Sequence, residues 1–520
     1  MHGRILSAVA SALALIALSA SPAAAEVIEA QPIPTTGPEP TLPAFVGAPA
    51  RAKPFSSEPA WANDFMAPNP LNSVHNDPWQ TDTYTQYGGP LGRSPKTLST
   101  YFGRTCISLT FDSKGRLIGT CTHPIDGPGL YRFDPVTLDI LAFRQLPFAS
   151  PPPGTDPALN STGGVYFFLD NRDRAVVATA DRKIKVFKQT KRRFKLVKTL
   201  DPSGCLDPVD RMPSALPDAD GMYWFVGRTE GTVGVIDPKT GRCNSIVLGE
   251  EIENSFAVAS DGVYVVTDKA QYKFRAGRKL KPRTIWRSRD YGNTGVKKTG
   301  QINAGSGTTP TLFGDGAGEA PRYVAITDNA DPMNVVVYKA ADEAKHRVVC
   351  RVPVFREGAS ATENSLIAMG SSLFVENNSG YDIYKFNDVA SGGIQIGGDP
   401  AAVSEPGFAR IDVTAKGCRK VWENHTVRAA SVVPKGDARN GLIYTYENVS
   451  DPGEPDADPW YWTALSARTG KVVFKVLAGH GGFYNNHYAG IALGRNPETN
   501  RVTAYLGGVG GVMALRDGRR

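Results

Sequence analysis

The chain has 520 residues, of which 41% are hydrophobic and 21% charged, and its formal net charge is +7. Those fractions are globular and exclude disorder as the main state of the chain. After residue 25 no stretch is long and apolar enough to cross a bilayer as a helix, so no transmembrane segment is expected.

Residues 1–25 carry one early Arg4, an apolar run from Ile5 to Leu18 and an Ala23-Ala24-Ala25 end. This is the pattern of a cleaved secretory signal, and it predicts a secreted or periplasmic protein. Residues 26–60 hold eight prolines among small and polar residues, a composition that resists helix and strand and predicts an extended Pro-rich linker. Residues 61–97 contain His75-Asn76-Asp77-Pro78-Trp79-Gln80-Thr81-Asp82-Thr83-Tyr84, closed by Gly88-Gly89-Pro90. They are expected to form a capping segment, either a lid over a pocket or an outer cap anchored by Trp79.

From residue 98 to 520 short apolar strands recur. Glu253-Asn254-Ser255 opens an apolar strand, a Gly turn, a second strand and Tyr272-Lys273-Phe274. Glu363-Asn364-Ser365 opens the same series, ending in Tyr384-Lys385-Phe386. Strand starts also fall at Cys106, Val165, Ser214, Thr309, Ala429 and Tyr488, which with Ser255 and Ser365 makes eight. Turns such as Asp112-Ser-Lys-Gly115 and Asp218-Ala-Asp-Gly221 follow most of them. A spacing of about 55 residues predicts an all-β propeller of eight blades, or seven if the first or second unit is irregular. The last unit has room for three strands, so a strand near Leu98 to Gly103 is expected to close the ring and cover an exposed edge.

The six cysteines form no CxxC, and an even count in an exported chain predicts disulfides. Cys106 and Cys121 flank a hairpin folding at Ser113-Lys114, which sets them opposite each other. Six cysteines allow 15 connectivities; pairing neighbours in sequence gives Cys205 with Cys243 and Cys350 with Cys418, and the sequence leaves the other connectivities of these four open. Basic residues cluster from Arg182 to Lys198, interleaved with Ile184, Val186, Phe187 and Phe194. That pattern is the solvated face of two strands, with a polyanion-binding edge as the alternative. No nucleic-acid partner is expected for an exported chain, and a monomer is expected.

In a propeller the loops leading into the innermost strands form one mouth. Here they bring Glu253, Asn254, Glu363, Asn364, Asn485, Asn486 and His487 together with Arg104, Arg211, Thr308 and Arg428 as substrate-lining groups. Two readings follow. The Glu-Asn-Ser triplets are structural turns whose glutamates meet arginines, or Glu253, Asn254, Glu363, Asn364 and Asn486 hold a Ca2+ ion.

Val233-Gly-Val-Ile-Asp-Pro-Lys-Thr-Gly241 and Thr463-Ala-Leu-Ser-Ala-Arg-Thr-Gly470 resemble the third-strand turn of PQQ-type propeller repeats. The Glu and Asn groups at the mouth look like those of gluconolactonase and strictosidine-synthase-like propellers, which usually have six blades. That resemblance implies a small-molecule site and calcium-assisted lactone or ester hydrolysis, with His487 as base and Glu253 and Glu363 in the machinery. The alternative is a non-catalytic scaffold for a glycan, peptide or cell-envelope polymer, with Trp460, Tyr461 and Trp462 as stacking groups or as blade packing. A quinone-cofactor dehydrogenase ranks below both, because no two cysteines are adjacent.

Overall fold

A computed structural model describes residues 27–518 apart from 124–125, 150–159, 161, 278, 315–319, 383–386, 389–394, 397–403 and 497–499. The expected signal segment and Tyr384-Lys385-Phe386 lie outside the described residues.

Eight sheets follow one another around an axis, each with a four-stranded antiparallel core; six of the eight cores use four strands consecutive in the chain. Most first strands are short, apolar and buried on both faces, as in Ala257–Ala259 and Ile367–Met369, whereas that of blade 7 is the buried Lys435-Gly436-Asp437. An Asp-led turn follows in the first three sheets. The Asp112 carboxylate accepts the backbone N–H of Lys114 and of Arg116 at 3.0 Å, and Asp170 and Asp218 close the equivalent turns in the same way. Asp237 of the Asp-Pro element accepts the Lys239 N–H at 2.7 Å where the third strand passes to the outer one. The outer strands, such as Phe194–Leu200, are largely solvent-facing, here with only the two end residues buried.

Numbered in chain order, blades 1 to 7 span 105–145, 167–200, 215–247, 257–288, 311–353, 367–424 and 435–480. Blade 8 takes its inner three strands from 492–516 and its outer strand from Lys96–Tyr101, which pairs antiparallel from Lys96 opposite Arg516 to Tyr101 opposite Gly511. The chain is an eight-bladed β-propeller closed by an N-terminal strand. Deleting residues 96–101 is expected to abolish cooperative folding, because it strips the outer edge of the closing blade. A deletion variant whose circular dichroism melt matched the full-length chain would refute that role.

All three disulfides form in the expected pairs. Cys106 and Cys121 are register partners across their hairpin, and Cys350–Cys418 joins the outer strands of blades 5 and 6. The largest apolar cluster runs between blades 2, 3 and 4 through Phe168, Trp224, Phe225 and Phe274.

Three expectations are corrected. The third strand of blade 6 is Phe408–Thr414, since the chain inserts a long excursion after Ser372–Glu376 where blade 4 has none. Blade 7 begins at Lys435, six residues after Ala429, because 429–433 forms a loop leading into it. The segment expected as a lid or an outer cap instead threads the channel. Its successive carbonyls accept the inner-strand N–H groups of five blades: Asn72 from Leu169, Pro78 from Val258, Trp79 from Leu312, Thr81 from Ala368, and Asp82 from Gly436, all at 2.8–2.9 Å. The plug takes the place that water would have in an open channel, accepting these N–H groups within the protein. Gly436 permits the approach, because a Cβ there would stand 3.0 Å from Thr83 Oγ1 and 2.7 Å from Ile367 Cγ2.

The Pro-rich segment is extended and lies against the propeller. Phe45–Gly47 pairs with the outer strand of blade 7, and 53–65 straps the face where first strands turn into second ones. Among the described residues no helix is long and apolar enough to cross a membrane.

Candidate functional site

At the opposite end, where loops lead into the inner strands, a cavity of about 60 Å³ lies between the plug and the blades. Val74 and His75 of the plug form one side; Ser108, Tyr166, Asn254, Glu363, Asn364, His487 and Tyr488 come from the surrounding loops and strands. Four nominated residues, Asn254, Glu363, Asn364 and His487, thus meet around one space.

Glu363 is the central acid. Its Oε2 accepts the Ile302 N–H at 2.9 Å, and its Oε1 is buried without a protein partner. Burial, reinforced by the charge of Glu253, raises its pKa well above the ordinary value, so the carboxyl favours the protonated form. Glu253 lies behind it, with Oε2 3.5 Å from the guanidinium of Arg228, which also meets Glu251 at 3.3 Å. Burial opposes the charge on Arg228, and the two glutamates outweigh it and hold the guanidinium above its ordinary pKa. The glutamate meets an arginine as one reading expected, but the partner is Arg228, not Arg104, Arg211 or Arg428.

Bordering the same cavity is a group that the sequence placed on a lid or cap. His75 Nδ1 lies 3.0 and 3.1 Å from the two Asp82 oxygens, and its Nε2 is buried without a protein partner. With Nδ1–H donating to Asp82, Nε2 carries the lone pair. Asp82 is held in turn by Lys435 Nζ, which also donates to the Val74 carbonyl; Asp82 and Lys435 are both 0% exposed. Asn76, Gln80 and Asp82 adopt positive φ of 76°, 57° and 53°, as do His487 and Tyr488 at 39° and 58°. Such left-handed non-glycine residues persist where surrounding structure over-determines them, commonly at functional sites.

The other nominated residues lie elsewhere or behind the wall. Asn485 Oδ1 accepts the Tyr381 hydroxyl and the His487 N–H, and Asn486 Nδ2 reaches Ser431 Oγ at 3.5 Å. The His487 ring approaches the same Tyr381 hydroxyl through Nδ1 at 3.2 Å. Arg104 pairs with Asp126, Arg211 turns to the Asp210 carbonyl, the Thr308 hydroxyl bonds Ser306, and the Arg428 N–H donates to Glu447. None of these four lines the cavity. Trp460, Tyr461 and Trp462 are buried in blade 7 and present no stacking face.

The donor set does not fit a calcium ion. Glu253 is engaged by Arg228, Asn254 Oδ1 accepts the Tyr166 hydroxyl at 2.9 Å, and Asn364 Nδ2 donates to Glu376 and to backbone carbonyls. Among the described residues no three His, Cys, Asp or Glu side chains are grouped to hold a metal, whereas Ca2+ takes six to eight oxygens. A multi-ring quinone does not fit either, because sites for ligands of that size measure roughly 300 Å³ or more and the plug fills the channel.

No family model matches the chain. An uncharacterized protein of Archaeoglobus fulgidus is 34% identical over 179 residues, which are 31% of this chain and 34% of that protein. The chain therefore spans about a third of the length of the curated relative it matches. Among solved structures, europium-containing methanol dehydrogenase superposes with a TM-score of 0.52 at 12% identity, over 85% of this chain and 91% of that one. The likeness is one of fold. Sqt1 of Saccharomyces cerevisiae has a TM-score of 0.46 at 10% identity, over 84% of this chain and all of its own.

The residues missed by sequence reasoning are His75, Asp82, Arg228, Tyr166 and Lys435. His75 and Asp82 stood in a segment singled out as polar and aromatic, yet nothing local ties that segment to Glu363, 288 positions beyond His75.

Proposed function

We propose that this cavity is an acid–base site that hydrolyses a small ester or lactone without a metal, with His75 as base and Glu363 as acid. The supporting observation is that His75 Nε2 and Glu363 Oε1, both buried and both without a protein partner, border the same cavity. His75 Nε2 takes a proton from water as the water oxygen bonds to the acyl carbon. The protonated Glu363 donates a hydrogen bond to the carbonyl oxygen as it gains negative charge. Collapse of the tetrahedral intermediate breaks the acyl–oxygen bond, and the leaving alkoxide takes the proton from His75. Asp82 keeps the imidazole in the required tautomer throughout. The cavity admits only a few heavy atoms, so the acyl end enters and the remainder of a longer substrate projects to the mouth.

The three disulfides support the accompanying proposal of export to an oxidising compartment.

The test is kcat/KM on short-chain aryl esters and on five- and six-membered lactones for the native chain, His75→Gln and Glu363→Gln. Each substitution is expected to lower kcat/KM by about 10²–10⁴-fold, the range for general acid–base groups, with an unchanged melting temperature. Because Glu363 acts protonated and its pKa is raised, activity should fall on the alkaline side, and Glu363→Gln should remove that limb. Full turnover by both variants, or none by the native chain on the whole panel, overturns the assignment.

A further inference from the structure

We propose that the face of blades 1 and 2 opposite the cavity docks on an anionic membrane surface. Tyr166 and Arg172 stand at the two ends of the inner strand Phe167–Leu169, one lining the cavity and the other in the turn on the far face. On that face the turns after first strands and the turns after third strands lie together, because strands alternate in direction.

Seven cations gather there. Lys114 and Arg172 occupy the first turns of blades 1 and 2, and Lys188, Lys191, Arg192, Arg193 and Lys195 ride on the outer hairpin of blade 2. All seven are exposed, and none is paired with a described carboxylate. The acids on this face are already engaged: Asp112 by Arg116, Asp170 by Arg174, Asp173 by the Ser113 N–H and hydroxyl, Asp134 by the Val136 and Thr137 N–H groups, and Asp139 by the Ala30 N–H and the Thr137 hydroxyl. Asp64, beside Asn171, is an exposed carboxylate at the border.

The patch is pre-ordered. The guanidinium of Arg132, itself buried, donates to the carbonyls of Thr190 and Lys191 from blade 1, and Gln189 Nε2 donates to the Asp173 carbonyl at 2.9 Å. The turn is thus fixed without using any of its own charges. The strap over this face bonds to blades 3, 6 and 7 and reaches blade 2 only at Asn171, so the hairpin stays bare. Next to Lys195, Leu196 and Val197 are 37% and 43% exposed. A flat array of turn tips with adjoining aliphatic groups fits a plane of anionic headgroups, to which each nearby cation adds attraction. Docked this way, the chain points its cavity away from the bilayer.

The experiment is co-sedimentation of the full chain with vesicles of phosphatidylcholine alone and with 30% phosphatidylglycerol, at low and at 0.5 M salt. Binding is expected only to the anionic vesicles and only at low salt, where screening is weak. Replacing Lys191, Arg192 and Arg193 together by Ser should weaken it about a hundredfold, at roughly fivefold per cation, with an unchanged melt. Replacing Lys269, Arg289 and Lys297 by Ser, which are exposed on blade 4 loops at the cavity end, should leave it as it was. Equal losses from the two triple variants would show a net-charge effect and overturn the patch. Retention on dextran sulfate without vesicle binding would overturn the membrane assignment in favour of a soluble polyanion, and binding to neither overturns both.

Discussion

Replacing Lys435 by Met is expected to lower the free energy of unfolding by about 3–5 kcal/mol, the cost of breaking a buried pair by removing one member. Lys435 and Asp82 are both fully buried, and the ammonium is shared between the Asp82 carboxylate and the Val74 carbonyl. Without it, Asp82 keeps only the His75 contact at 3.0 Å, inside a channel that also holds Asp77 and Glu376. Urea melts should show the loss, and a second change, Asp82→Asn, should recover most of it because no uncompensated charge then remains. The single variant should also lose esterase activity, since Asp82 orients the base. Equal urea midpoints for native chain and Lys435→Met would show that the pair does not hold the plug.

The second large effect concerns pH. Burial raises the Glu376 pKa from 4.5 to about 8, against the hydrogen bonds it receives from Asn364 and Asn378, and burial likewise raises Asp77 from 3.8 to about 7. The folded chain therefore binds more protons than the unfolded chain between the ordinary and the raised values. Stability is highest below about pH 4.5 as far as Glu376 is concerned, and it falls as pH rises toward about 8. A shift of this size corresponds to something on the order of 5 kcal/mol across the window. Glu376→Gln keeps an amide oxygen for Asn364 and cannot ionise. Urea melts at pH 5, 6, 7 and 8 should decline less steeply for this variant than for the native chain, with the gap widest at pH 8. Parallel declines would mean that Glu376 does not titrate in that window.

Both expectations rest on the plug, and the plug is where reading the chain residue by residue reached its limit. Blade number and the Cys106–Cys121 pairing were legible because one is periodic and the other local, and ring closure followed from a last unit one strand short. Most inner strands are continuous apolar runs, Asp112, Asp170 and Asp218 close their turns on nearby N–H groups, and Cys106 and Cys121 face each other across one hairpin. The repeated Glu-Asn-Ser triplet likewise marked the mouth, and Asn254, Glu363, Asn364 and His487 do line one cavity.

Nothing periodic marks 63–84 as the channel filling. That placement is a tertiary property: the carbonyls of the segment accept N–H groups from the inner strands of five separate blades. Asp82 meets Lys435 across 353 positions, and His75 meets Glu363's cavity across 288, once the segment lies in the channel. Local patterning set the ring, and long-range hydrogen-bond satisfaction set the contents of its channel and the chemistry at its mouth.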